Sequence, residues 1–230
     1  QGHDLEGFFA IASLAADHQL VGDELHVDFA VGEHLVDHVL EQLILLFVDL
    51  HLAGVRLDGS LWGRGTGKTC TAGEWLDGEV RAGRTGKQVL IAGRTPSDVR
   101  DYALHGAGGL LTNHPDIRHK SSERLLIWPN GVEGLIRSGA NPEEFRGFSG
   151  DKAWLDEFAA WDYPEESWNN LMFGLREGTA PQIVIATTPR PIPIIKAILE
   201  MQTTVHSRAT SYENRSNLAD IYVKAVLDPL

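Results

Sequence analysis

Seven consecutive residues, Gly63-Arg64-Gly65-Thr66-Gly67-Lys68-Thr69, have the make-up of a loop that holds polyphosphate. In such a loop the glycines let successive backbone N–H groups converge on phosphate oxygens, the lysine ammonium reaches the β- and γ-phosphates, and the hydroxyl that follows sits on Mg²⁺. Trp62 stands where the fully written motif has a further glycine. Downstream, Ala153-Trp154-Leu155 runs into the paired acids Asp156-Glu157. At the C-terminal end of a sheet strand the first acid is suited to hold Mg²⁺ and the second to orient and deprotonate an attacking water. Each string alone has a bland reading, a glycine-rich surface turn or a solvated strand end. Together they make a constellation for nucleotide hydrolysis.

Two arginines and a hydroxyl-bearing loop extend this reading. Negative charge developing on the γ-phosphoryl favours a guanidinium, from the same subunit or from a neighbour. Arg64 lies inside the phosphate loop and is expected beside phosphate. Arg146, in Phe145-Arg146-Gly147, is the candidate for a finger that acts on a neighbouring subunit. An ordinary surface role is the alternative for both. Thr187, Thr188 and Pro189 follow an apolar run, where hydroxyls suit sensing the γ-phosphate and relaying its loss. A rigid proline-bounded loop is the equal alternative.

These residues need a scaffold that brings distant segments to one edge. From residue 62 onward the pattern is α/β alternation. A helix is expected over Thr69 to Val80, starting on the phosphate loop. Gln88 to Ala92 reads as a strand, with Pro96 opening a helix through Tyr102. Gly106 to Pro115 reads as loop. Arg124 to Trp128 and Val132 to Ile136 flank Pro129-Asn130-Gly131 as a β-hairpin. Gly83-Arg84-Thr85-Gly86-Lys87 resembles the phosphate loop superficially but has no hydroxyl after the lysine, and reads as a helix-to-strand turn. Apolar runs at 88–92, 153–155 and 182–186 suit a mostly parallel sheet covered by helices on both faces. The segment before the phosphate loop, 55–61, is a poor buried strand, with Arg56, Asp58, Gly59 and Ser60 inside it.

The chain has 230 residues and a net charge of −12. That length allows a buried core, and the single Cys70 excludes an internal disulfide and fits a reducing compartment. No apolar run approaches the length of a membrane span. The acidity is uneven: residues 1–61 hold eleven acids against Arg56, so the remaining 169 residues carry only −2. Overall charge therefore does not exclude a nucleic-acid partner. Residues 1–61 also hold six of the ten histidines and lack Lys, Pro, Thr and Trp altogether. Within them, 31–50 reads as an amphipathic helix with Leu35, Val39, Leu43 and Phe47 on one face. His34 and His38, one helical turn apart, have a spacing that can hold metal, and are read as solvated.

Several blocks together resemble one family: GRGTGKT at 63–69, AGEWL at 72–76, LIAGRTPSDVRD at 90–101, WPNG at 128–131, FRG at 145–147, AWLDEFAAW at 153–161, WNNLMFGLR at 168–176, ATTPRP at 186–191 and SYENRSNLA at 211–219. In order and spacing they are similar to the large terminase subunit of tailed bacteriophages and related gene-transfer particles. The resemblance implies an α/β P-loop NTPase domain of the ASCE type, with ATP and Mg²⁺ as cofactors. By position it implies that Gly63, Arg64, Gly65, Thr66, Gly67, Lys68 and Thr69 bind nucleotide, that Thr69 and Asp156 serve the metal, and that Glu157 is the catalytic glutamate. Arg64 or Arg146 would be the arginine finger, and Thr187 to Pro189 the coupling motif.

The resemblance also implies partners: double-stranded DNA, a portal protein, a small terminase subunit, and further copies of the chain in a ring. It implies no membrane, and a place in the bacterial cytoplasm with transient residence at the procapsid portal. Residues 62–230 are expected to form the ATPase domain, without the nuclease domain that follows it in the family. Residues 1–61 match nothing in that family, and the chain has no Met before Met172, so it is expected to be a fragment. We hypothesise that residues 1 to about 61 come from a shifted reading frame or a chimeric gene model; encoding DNA with no terminase-like segment in any frame upstream would count against this. Two other functions stay open, a helicase-like translocase and a catalytically impaired fragment that acts as a binding module.

Overall fold

The three apolar runs of the sequence become adjacent strands of one sheet. The structure is a computed structural model that describes residues 68–205 apart from Thr179 and Pro189, the backbone of the strands at 43–49 and 204–209, and Lys224. Trp62, Gly63 to Gly67, His34, His38, residues 55–61 and the block at 211–219 lie outside the described residues.

In chain order the elements are β1 (Leu43–Asp49), α1 (Lys68–Arg81), β2 (Gln88–Gly93), α2 (Pro96–Asp98), a π-helical turn (Val99–Leu104), α3 (Leu110–Asn113), β3 (Arg118–Lys120), β4 (Leu125–Ile127), β5 (Glu133–Ser138), β6 (Lys152–Asp156), α4 (Pro164–Gly174), β7 (Gln182–Thr187), α5 (Pro193–Leu199) and β8 (Thr204–Ala209). Short 3₁₀ turns lie at Pro142–Phe145 and Phe158–Ala160. The strands form one sheet in the order β3-β4-β5-β2-β6-β7-β1-β8. Strands β5, β2, β6 and β7 run parallel at its centre. The β3-β4-β5 meander is antiparallel on one side.

The middle residues of β2, β6 and β7 are apolar because both faces of these strands are covered. Val89, Ile91, Trp154, Val184 and Ala186 pack on one side with Ala72, Leu76 and Val80 of α1. Leu90, Ala92, Ala153, Leu155, Ile183 and Ile185 pack on the other with Trp168 and Leu171 of α4 and Ile195 and Ile198 of α5. The two sets alternate residue by residue, as the period of a strand requires. By the same alternation Asp156 shares the α1 face with Trp154.

Local signals in the sequence account for the connections. Gly83 adopts φ +67 and closes α1, with Gly83 N–H donating to Val80 O and Arg84 N–H to Glu79 O, so the 83–87 stretch is a helix-ending turn. The Trp128-Pro129-Asn130-Gly131 turn joins β4 to β5 with Gly131 at φ +86, as the hairpin reading requires. Thr95 and Asp98 form a reciprocal cap around Pro96. After that cap the helical stretch runs through Tyr102 as expected, with three α-helical residues that widen into a π-turn ending at Leu104. The 106–115 stretch, read as loop, contains the helical turn α3.

The hairpin also clamps α1. Trp128 Nε1 donates to Asp77 Oδ1 at 2.9 Å, and Asn130 Nδ2 donates to Val80 O at 2.9 Å. Arg81 Nε donates to Asp77 Oδ2 at 2.6 Å, and its guanidinium forks onto Asp116 at 2.9–3.0 Å. Asp77→Ala leaves a buried indole N–H without its acceptor and removes one partner of Arg81. Urea unfolding is expected to show a loss of about 2–3 kcal/mol, and a loss below about 0.5 kcal/mol would refute this account of the clamp.

One expectation fails in a physically informative way. Residues 43–49 form a strand and not part of a helix over 31–50. The run Leu43-Ile44-Leu45-Leu46-Phe47-Val48 has no polar residue to mark a helical face, so its apolar continuity suits the centre of a sheet, where β1 lies between β7 and β8. It pairs antiparallel with both, with Asp49 opposite Gln182. Strand β1 therefore ends at the sheet edge opposite the one where α1 begins.

Candidate nucleotide site

The C-terminal ends of β6 and β7 lie side by side, with Asp156 opposite Ala186, and the first residue of α1 lies against them. Lys68 Nζ stands 2.8 Å from Glu157 Oε1 and 3.4 Å from Thr188 Oγ1. The structure thus joins Lys68, Glu157 and Thr188 although 89 and 120 positions separate the lysine from the other two. The lysine side chain is largely enclosed, whereas the Glu157 side chain is 44% exposed and open to a ligand or to water.

Asp156 is buried at the end of β6. Burial pushes its carboxyl up to about 7 and the Glu157 carboxylate adds to the rise, while the Lys68 ammonium and the Thr69 hydroxyl pull in the other direction. A carboxyl held in this state gains most from an arriving cation, which replaces its proton. One carboxylate and one hydroxyl suit Mg²⁺, which typically binds through one or two carboxylates and completes its shell with water and phosphate oxygens. The donor set therefore fits the metal role expected of Thr69 and Asp156.

Glu157 has φ 49 and ψ 39, one of two non-glycine residues at positive φ among those described. A left-handed conformation costs a side chain with a Cβ roughly 1–2 kcal/mol and is held only by its surroundings. Here Glu157 N–H donates to Ala186 O at 2.6 Å, and Glu157 O accepts from Ala160 N–H at 2.8 Å. The strand ends at Asp156, and the chain turns at once into the 3₁₀ segment.

The two threonines at the end of β7, Thr187 its last residue and Thr188 the next, are placed differently. Thr187 is fully buried, and its hydroxyl accepts from Ala159 N–H at 3.0 Å and donates to Thr188 O at 3.2 Å. It ties β7 to the turn that carries Glu157. Thr188 faces the site: its hydroxyl meets Lys68, and its N–H points to Glu157 Oε2 at 3.4 Å. Two like residues in sequence cannot show this split, which arises because β7 ends between them.

Arg146 is not part of this cluster. It is exposed, pairs with Glu143 at 2.7 Å, and donates to Asn170 Oδ1 of α4 at 3.4 Å. Arg64 and Pro189 lie outside the described residues. Sequence reasoning missed Trp161, whose Nε1–H donates to Asp156 O at 2.9 Å. The only sign of it was an aromatic following the acid pair in AWLDEFAAW.

No curated protein matches the chain. A solved structure, the large terminase ATPase domain of Thermus phage P74-26, is 20% identical with a TM-score of 0.43, over 59% of this chain and 61% of that one. The chain thus spans less than two thirds of that domain. The family model for the N-terminal part of the T4-like large terminase subunit matches residues 60–224, which include every described site residue. By that match, over most of its length, the chain belongs to the T4-like large terminase subunit family, in its N-terminal part.

Proposed function

We propose that this chain is an ATP-hydrolysing motor domain that drives double-stranded DNA into a procapsid. The observation that carries the reading is the 2.8 Å approach of Lys68 to Glu157 at the tip of β6. Without nucleotide, the ammonium and the carboxylate neutralise each other. An arriving triphosphate takes the ammonium and leaves Glu157 free to accept a proton from water. Gly63, Arg64, Gly65, Thr66 and Gly67 would bind the phosphates, and Thr69 and Asp156 would hold Mg²⁺. That ion, when bound, neutralises charge on the phosphate oxygens. Thr188 reads the γ-phosphate, and Thr187 passes its loss to the turn after Glu157, with Pro189 the third residue of this coupling segment.

Family membership supports the remaining assignments. The motor works as a ring of copies on a portal protein, with a small terminase subunit delivering DNA, in the bacterial cytoplasm. Among the described residues no helix is long and apolar enough to cross a membrane. Residues 62–230 are the motor domain. Arg146, which reaches neither Lys68 nor Glu157 in its own protomer, serves the site of a neighbour, and Arg64 serves its own.

The test is a mixing experiment with DNA and procapsids present. Arg146→Ala and Asp156→Ala proteins are each expected to be inactive, and together to recover a measurable part of wild-type ATPase, since mixed interfaces pair an intact finger with an intact site. Absence of recovery would remove the trans-acting role. A second reading, a catalytically impaired fragment that binds partners only, is favoured by β1, which fills the place beside β7 in the antiparallel sense. A strand that feeds a phosphate loop directly has to run parallel to β7. Wild-type ATPase no higher than that of the Glu157→Gln protein would support that second reading.

A further inference from the structure

The peptide group that joins Asp156 to Glu157 is held from both sides. Its carbonyl oxygen accepts Trp161 Nε1–H at 2.9 Å, and its N–H donates to Ala186 O at 2.6 Å. The Ala186 bond continues the edge of the sheet. The Trp161 bond comes from a side chain beyond the 3₁₀ turn, and it closes the loop that the left-handed Glu157 opens.

The indole is itself placed from three directions. It lies flat against Gly139, where any Cβ would run into Trp161 Cδ2 and Cε3. Phe158 meets it edge-on with ring centres 5.0 Å apart, and Phe145 lies at 5.8 Å. Gly139 is in turn fixed by its N–H, which donates to Gly93 O at the end of β2. The ends of β2, β5 and β6 are thereby tied together beneath the acid pair. Burial of a tryptophan needs no functional explanation, but this one places its single donor on the one carbonyl between the two acids.

We propose that Trp161 is a positioning residue for hydrolysis: by holding the Asp156 carbonyl it keeps Glu157 in the left-handed conformation that presents its carboxylate to Lys68. The proposal rests on the reading of Lys68 and Glu157 as an ATP-hydrolysing site. Trp161 touches no nucleotide. Its loss lets the Asp156–Glu157 peptide rotate and so takes Glu157 off the attacking water without disturbing the phosphate loop.

Two substitutions displace this contact independently. Trp161→Phe keeps an aromatic ring and removes the N–H, while Gly139→Ala keeps the indole and pushes it off its seat. Each is expected to lower kcat by about tenfold or more, while affinity for a fluorescent ATP analogue changes by less than about twofold. In a Glu157→Gln background neither is expected to lower the residual turnover further, because the group they position is already gone. Loss of nucleotide binding in step with kcat, unchanged kcat in both variants, or losses that multiply with Glu157→Gln would each overturn the proposal. Wild-type turnover that survives Glu157→Gln would overturn the site reading as well. Turnover that needs Glu157 but ignores both substitutions would overturn this inference alone.

Discussion

Glu157→Gln is expected to lower ATP turnover by about 10²- to 10⁴-fold, the range that a positioned general base supplies. The amide keeps the size and left-handed backbone of the glutamate but cannot take a proton from water. Nucleotide affinity is expected to hold or to rise, and the reason is specific to this site. In the free protein Glu157 occupies the Lys68 ammonium at 2.8 Å, so the carboxylate competes with phosphate for the same cation. Steady-state phosphate release and titration with a fluorescent ATP analogue separate the two effects. Turnover within about threefold of wild type would remove Glu157 from the chemistry.

Lys68→Ala is expected to act in the opposite way, weakening nucleotide binding by about a hundredfold or more. Truncating a charged partner in a desolvated pair costs about 2–5 kcal/mol of binding. Its effect on folding is expected to be small, because its partner Glu157 is 44% exposed and water screens such a pair to about 1 kcal/mol or less. The same substitution therefore reports differently in two assays. Binding that survives it, or unfolding that accompanies it, would each contradict the assignment of Lys68 to phosphate.

The site was legible in the sequence to the extent that short-range pattern encodes it. A lysine and a threonine after spaced glycines, and two acids after an apolar run, have few other uses in combination, and the structure brings Lys68 and Glu157 into contact. The central strands were legible for a related reason: runs such as Gln88 to Ala92 and Gln182 to Ala186 are too short for helices and are bounded by Gly, Thr or Pro. The roles that depend on direction were hidden. Thr187 and Thr188 are chemically equivalent neighbours, and the end of β7 between them separates the buried hydroxyl from the one that meets Lys68. The bond from Trp161 to the Asp156 carbonyl depends on a turn whose left-handed residue is a glutamate, a choice that no turn preference predicts.

Strand β1 shows the converse case. Leu43 and Phe47 are one helical turn apart, which supported a helical face, but the residues between them are equally apolar. Such a run carries no period at all, and tertiary context decides its state. The place beside β7 offers an apolar strand two neighbours, and the run takes it in antiparallel register.

The most direct test of the account labels the lysine beside the phosphates. An ATP analogue carrying a reactive acyl group on its terminal phosphate transfers that group to a nearby amine, and peptide mass spectrometry locates it. The acyl group is expected on Lys68, with labelling suppressed by excess ATP and Mg²⁺. Acylation confined to other lysines such as Lys152 or Lys196, or labelling of Lys68 that excess ATP leaves unchanged, would contradict the claim that a triphosphate binds between Lys68 and the Asp156–Glu157 pair.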